Sequence, residues 1–225
     1  MGIKQNLLHI NNEIAKAADI SGRKLSDIKL VGVTKSVGVD VIHELIQAGV
    51  TDFGENRVQD FLPKYDALKN VSPPTWHFIG HLQRNKVKFI IDKVAMIHSV
   101  DNMGLAVEID KRAGQHGRVM NVFAEVNIAE ESSKHGLSPK DVIPFTDELL
   151  SLTNIQLKGL MCIAPFVENP EDNRVHFKHM RNLLLDINKR GSHNLVELSM
   201  GMSGDFIVAI EEGATIVRVG TALVA

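Results

Sequence analysis

The feature that most restricts how this chain can fold is an alternation. Short apolar runs recur along it, and between them lie stretches with the three-to-four-residue spacing of amphipathic helices. The runs are Ile28–Thr34, Thr51–Phe53, Thr75–Ile79, Val94–Ser99, Met120–Asn127, Gln156–Ile163, Asn194–Leu198 and Thr215–Val219. Helices are predicted over Val39–Gln47, Arg57–Leu68, Gly104–Ala113, Pro139–Leu152, Pro170–Lys189 and Gly204–Glu212. Strands that alternate with helices pair in parallel, because a parallel return needs a crossover long enough to cover the sheet face. Eight runs in 225 residues give about 28 residues per unit, near the ~30 of a βα repeat. The pattern predicts an α/β fold, a single TIM-like (β/α)8 barrel with residues 1–225 as one domain; an open doubly wound sheet is the rival. An extra helix precedes the first strand, where Ile3, Leu7, Ile10, Ile14 and Ala17 share one face.

Composition removes several functional classes. With 44% hydrophobic and 23% charged residues the chain has the makings of an ordinary folded core, not of a disordered segment. A formal net charge of −2 argues against a broad nucleic-acid surface, which needs a positive field. The basic cluster Arg84, Lys86, Lys88 and Lys93 reads as a solvated face. The single cysteine, Cys162, cannot form an internal disulfide, and neither a secretory stretch nor a membrane span is visible, so a cytoplasmic address and no membrane partner are expected. His176 and His179 lie one helical turn apart but lack a third ligand, so no metal site is expected there.

In such a barrel the chemistry sits at the C-terminal ends of the strands. Lys35 follows the apolar run Leu30-Val31-Gly32-Val33-Thr34, which would aim its amine into the mouth; the plain alternative is a strand-end lysine reaching solvent. A lysine amine made neutral by desolvation or a nearby cation can attack an aldehyde. After the seventh run comes Leu198-Ser199-Met200-Gly201-Met202-Ser203-Gly204-Asp205, where glycines and free amides at a helix start suit a phosphate dianion. Ser203 would equally serve as a helix cap, and Asp205 is expected to point outward, away from an anion. The last run supplies Arg218-Val219-Gly220-Thr221, completing a cup of the kind built from the loops after strands seven and eight, although Arg218 alone would also suit a surface ion pair. An amine facing a phosphate cup suggests pyridoxal 5′-phosphate (PLP). Its aldehyde would go to Lys35, its phosphate to Ser199, Gly201, Gly220 and Thr221, and its ring nitrogen to Arg218.

Longer motifs carry a resemblance over nearly the whole chain. Val33-Thr34-Lys35, Phe53-Gly54-Glu55-Asn56-Arg57-Val58-Gln59, Trp76-His77-Phe78-Ile79-Gly80, Leu198-Ser199-Met200-Gly201-Met202-Ser203 and Arg218-Val219-Gly220-Thr221-Ala222 occur in this order. With them the chain resembles the pyridoxal phosphate homeostasis proteins, single-domain relatives of the alanine racemase barrel. The resemblance implies a Schiff base on Lys35, Arg218 at the ring nitrogen, phosphate contacts from Ser199, Met200, Gly220 and Thr221, and Asn56 near the cofactor. It implies a PLP carrier, with PLP-dependent apoenzymes as recipients, without an established turnover, and the lack of a second domain leads to the expectation of a monomer; the alternatives are a racemase-like PLP enzyme and a lysine-dependent barrel lacking any cofactor. An arginine cannot readily hand a proton to the ring nitrogen, which weakens the electron sink that carbanion chemistry needs. Tyr65, the only tyrosine, falls inside a predicted helix and is expected to be packed, while Lys134 is a second candidate resting place for the aldehyde.

Overall fold

The computed structural model describes residues 2–70 and 73–225. Strands β1 (Lys29–Val33), β2 (Asp52–Glu55), β3 (Thr75–Phe78), β4 (Met96–Val100), β5 (Met120–Val126), β6 (Ile155–Cys162), β7 (Glu197–Met202) and β8 (Ile216–Val219) form a closed barrel in sequence order. Every neighbouring pair is parallel. Closure runs from Lys29 opposite Ile216 to Gly32 opposite Val219, and it rules out the open sheet. Around it lie α1 (Ile3–Ile20), α2 (Val39–Ala48), α3 (Val58–Leu68), α4 (Val87–Ile90), α5 (Met103–Gln115), α6 (Pro139–Leu149), α7 (Arg174–Lys189), α8 (Phe206–Glu211) and α9 (Thr221–Val224).

The apolar stripes seen in the sequence face the barrel, as helices covering a parallel sheet must. α1 buries Leu7, Ile10, Ile14, Ala17 and Ala18 against α8 and α9. Two polar groups fasten it there: Asn6 Nδ2 donates to the carbonyls of Leu223 and Ala225, and the Arg23 guanidinium donates to those of Ala214 and Ile210. Inside the barrel a smaller apolar cluster of Val31, Met96, Phe123, Met161 and Ile216 fills the space that the alternation of strand side chains turns inward.

Two differences from the sequence reading matter. The four-residue helices α4 and α9 were not expected, because such lengths carry too few residues to show a period. The seventh strand, expected to stop at Leu198, runs from Glu197 to Met202, with a register shift against β8 between Ser199 and Met202. Ser-Met-Gly has the composition of a loop, yet here it stays in the ladder, and Gly201 absorbs the irregularity at φ +91°. A Cβ on Gly201 would stand 2.6 Å from Ala209 Cβ and 2.9 Å from Phe206 Cα, so strand-to-helix packing requires glycine at this position.

Candidate cofactor site

A cavity of about 320 Å³ opens at the C-terminal mouth, within the range of small-ligand sites. Lys35, Ser36, Asn56, Gly80, Met202, Ser203, Gly204, Arg218, Gly220 and Thr221 contribute to its wall. A larger cleft of about 750 Å³ lies at the opposite, N-terminal face around Lys29, Asp52 and Glu197; it has no comparable set of amine, guanidinium and strand-end amides, and barrels of this kind work from the other end.

Lys35 is placed by a buried brace behind it. Lys64 of α3 donates to the Thr34 carbonyl and to Glu55 Oε1, both at 2.6 Å, and the Thr34 hydroxyl donates to the same Glu55 oxygen at 2.6 Å. Glu55 is fully buried and Lys64 nearly so, so the backbone just before Lys35 is tied to both α3 and β2. The Lys35 side chain itself is exposed on the cavity wall, and among the described residues no carboxylate pairs with it. Asn56 sits beside Gly80, where a Cβ would come within 2.2 Å of the Asn56 carbonyl oxygen; only glycine lets these two loops meet.

Arg218 enters from β8, 4% exposed, and donates to Ser199 Oγ at 2.7 Å and to the Cys162 carbonyl at 2.8 Å. No carboxylate among the described residues forms an ion pair with it. Burial pulls its basicity down, against the opposing influence of Cys162, Glu125 and Asp205. Behind Ser199 a polar file runs through the barrel: Ser199 Oγ to His98 Nδ1 at 2.9 Å, His98 Nε2 to His77 Nδ1 at 2.9 Å, and His77 Nε2 to Asp52 Oδ1 at 3.0 Å, where Lys29 also donates. Burial opposes ionisation of Asp52, but hydrogen bonds from His77, Thr51 and Lys29 hold its carboxyl well below the usual range. Burial first, and also the charges of Arg218 and Lys29, push His98 well below the usual imidazole value, so it is neutral. One proton order then satisfies every atom. Arg218 can only donate, so Ser199 accepts from it and gives its own proton to His98 Nδ1; His98 Nε2–H donates to His77, and His77 Nε2–H to Asp52.

Next to this file Glu125 is 5% exposed and its Oε2 has no partner. Burial first, then the nearby Asp101, raises it to about 7, while Arg218 acts in the other direction. The Cys162 thiol, chiefly through burial, is pushed up to about 12, consistent with its reading as packing.

Several expected placements change. Ser199, Met200 and Gly201 lie inside β7 and off the cavity wall; Ser199 and Met200 are fully buried, and the extra strand length brings Met202, Ser203 and Gly204 to the mouth instead. Ser203 does not cap α8: its Oγ accepts from Gly220 N at 3.2 Å, joining the two halves of the cup. Asp205, expected to point outward, is 6% exposed and turned into the fold, accepting from Met202 N at 2.7 Å and Asn173 Nδ2 at 2.9 Å. Those donors satisfy a carboxylate that solvent would otherwise have claimed. Tyr65 packs on Phe61, with ring centroids 5.6 Å apart. Lys134 lies on a neighbouring cavity, its Nζ held by Glu131 at 2.6 Å and by the Ala164 carbonyl at 3.3 Å. The sequence reading does not include the buried pair His77 and His98; the signal for them is a single polar residue inside each of two apolar runs, and the pairing of β3 with β4 brings the two together.

Known proteins match this chain along its length. The model of the family described as "Alanine racemase, N-terminal domain" matches residues 6–225. A pyridoxal phosphate homeostasis protein of Aquifex aeolicus is 46% identical over 223 residues, covering 99% of this chain and 97% of its own. The chain belongs to the pyridoxal phosphate homeostasis protein family. Another member, from Pseudomonas aeruginosa, is 37% identical over 98% of this chain and 94% of its own. The structure of PipY from Synechococcus elongatus with PLP bound superposes with a TM-score of 0.88 at 32% identity, covering 99% of this chain and all of that one. Alanine racemase of Clostridium difficile, at 17% identity and a TM-score of 0.76, shares the fold; this chain covers 58% of it. Among the described residues no helix is long and apolar enough to cross a membrane.

Proposed function

We propose that this chain binds PLP in the barrel-mouth cavity, through a Schiff-base link to Lys35 Nζ, and serves PLP homeostasis in the cytoplasm as a monomeric carrier without turnover. The observation that carries this reading is the placement, in one cavity, of an unpaired primary amine and a buried guanidinium that has no carboxylate partner. Relatives named for PLP homeostasis support it, as does the PLP-bound PipY structure. When bound, PLP supplies an aldehyde for a primary amine and an electron-withdrawing ring.

The residues present fit such a group. Lys35 offers the nucleophile, Arg218 offers guanidinium donors to an acceptor nitrogen, and Ser203, Gly204, Gly220 and Thr221 line the side suited to a dianion. Asn56, held against Gly80, closes the flank. Arg218 is a pure donor that does not readily release a proton, so nothing in the file hands one to the ring nitrogen. Tyr65, packed on Phe61, is not available as a second base. Both points favour holding and delivering over racemisation, with PLP-dependent apoenzymes as the recipients. The lone Cys162, buried and unreactive, suits a reducing compartment, and a closed barrel leaves no strand edge that demands a partner.

Borohydride reduction of PLP-treated protein, followed by peptide mapping, tests the link. The label is expected on Lys35, and Lys35→Ala is expected to remove it while the far-ultraviolet circular dichroism stays unchanged; full labelling of the variant would overturn the assignment. Incubation with L-amino acids in deuterated water tests the carrier reading, for which no α-proton exchange above the rate of free PLP is expected.

A further inference from the structure

A second cluster on the same rim is not used by the proposed PLP site. His81 follows β3, Asp101 follows β4 and His135 lies on the loop after β5, so three adjacent strands deliver them to one spot. One ligand atom from each lies within 4.8 Å of the other two. The two imidazoles face each other in parallel, with centroids 3.8 Å apart and planes 13° from parallel. Among the described residues neither imidazole has a hydrogen-bond partner, and Asp101 accepts only from its neighbour Asn102. A separate observation points to the same place. The buried Glu125, whose Oε2 is unpartnered, lines a cavity of about 200 Å³ together with His81 and His135. That cavity shares Ile79, Gly80 and Ile163 with the PLP cavity, so the two sites would be adjacent.

We propose that His81, Asp101 and His135 form a binding site for a divalent transition-metal cation of the zinc type. Two neutral imidazoles and a carboxylate are the donor set that Zn²⁺, Ni²⁺ and their neighbours accept, whereas Mg²⁺ and Ca²⁺ take oxygen donors. Three protein ligands leave at least one coordination position for water or a small ligand on the cavity side. Coordinating atoms around Zn²⁺ sit about 2.0–2.2 Å from the metal, so the cluster must draw together, which two exposed imidazoles can do by side-chain rotation. Lys134, the cation on the same cavity, is already paired with Glu131 and does not occupy the cluster. Among the described residues the helical pair His176 and His179 has no third ligand within the same reach.

The test is titration of the tag-free, chelator-treated full chain with Zn²⁺ by calorimetry and with Co²⁺ by visible absorption, at neutral pH. One equivalent is expected to bind, with a Co²⁺ spectrum of low coordination number. His81→Ala, His135→Ala and Asp101→Asn are each expected to weaken binding by about tenfold or more, since even outer-shell partners reach that range; the double variant His176→Ala/His179→Ala should change nothing. Absence of stoichiometric binding, or binding lost only in the His176/His179 variant, would overturn the proposal. Selective broadening of the His81 and His135 imidazole resonances by Co²⁺ in the unmodified protein is an independent reading, and its absence would count against the site whatever the variants do.

Discussion

Ser199 shows how much can rest on one hydroxyl. Among the described residues it is the only side-chain acceptor that Arg218 has, and it is the donor that orders His98 and His77 down to Asp52. Ser199→Ala removes both functions and leaves a buried guanidinium donor unpaired, at a cost of about 1–3 kcal/mol. Urea unfolding should show a fall of that size, and PLP affinity should fall with it; Ser203→Ala, at a half-exposed position, should lower PLP affinity with little change in stability. Glu125 gives a pH prediction with a definite sign. Its folded-state pKa, about 7, lies above the ordinary 4.5, so the native state binds the proton more tightly than the unfolded chain does. No stability is lost on its account below the ordinary value. As the pH rises to and past about 7 the penalty grows toward about 3 kcal/mol. Thermal unfolding in chelator should therefore show Glu125→Gln more stable than the parent at pH above 7, with the difference gone at acid pH.

At the scale of elements, α3 and β2 decide where Lys35 stands. The Lys64–Glu55 pair is buried and shares its oxygen with Thr34, so Lys64→Met leaves a carboxylate unpaired in the interior. Breaking such a pair costs about 3–5 kcal/mol, whereas replacing both partners is far milder. The single variant should lower the melting temperature sharply and slow borohydride-trappable labelling at Lys35. Lys64→Met/Glu55→Gln should recover much of the stability, and failure to recover it would show that the pair is not the brace. The lengthened β7 belongs to the same scale. Local composition marks Ser-Met-Gly as loop, but β6 pairs with this strand as far as Ser199 and β8 pairs with it again at Met202, which keeps the segment in the strand, and that shift moves the cup to Ser203 and Gly204.

For the whole molecule, closure is what matters. β8 pairs with β1, and α1 lies across the seam on α8 and α9. The three large apolar side chains that α1 buries, Leu7, Ile10 and Ile14, are worth about 1.5–3 kcal/mol each, and such a sum is comparable with the ~5–15 kcal/mol stability of an entire domain. Removal of residues 2–20 should therefore abolish cooperative thermal unfolding, which calorimetry would register as the loss of the transition. The sequence by itself determined the (β/α)8 alternation, the amphipathic α1, and the gathering of Lys35, Asn56, Arg218, Gly220 and Thr221 at one end, because periodicity and strand direction are local properties of the chain. Tertiary structure alone decided that Ser199 faces inward to Arg218, that Asp205 is buried on Asn173, and that His81, Asp101 and His135 meet. Each of those contacts joins residues from different strands or loops, and strand register and barrel closure fix their distance where local sequence preference does not.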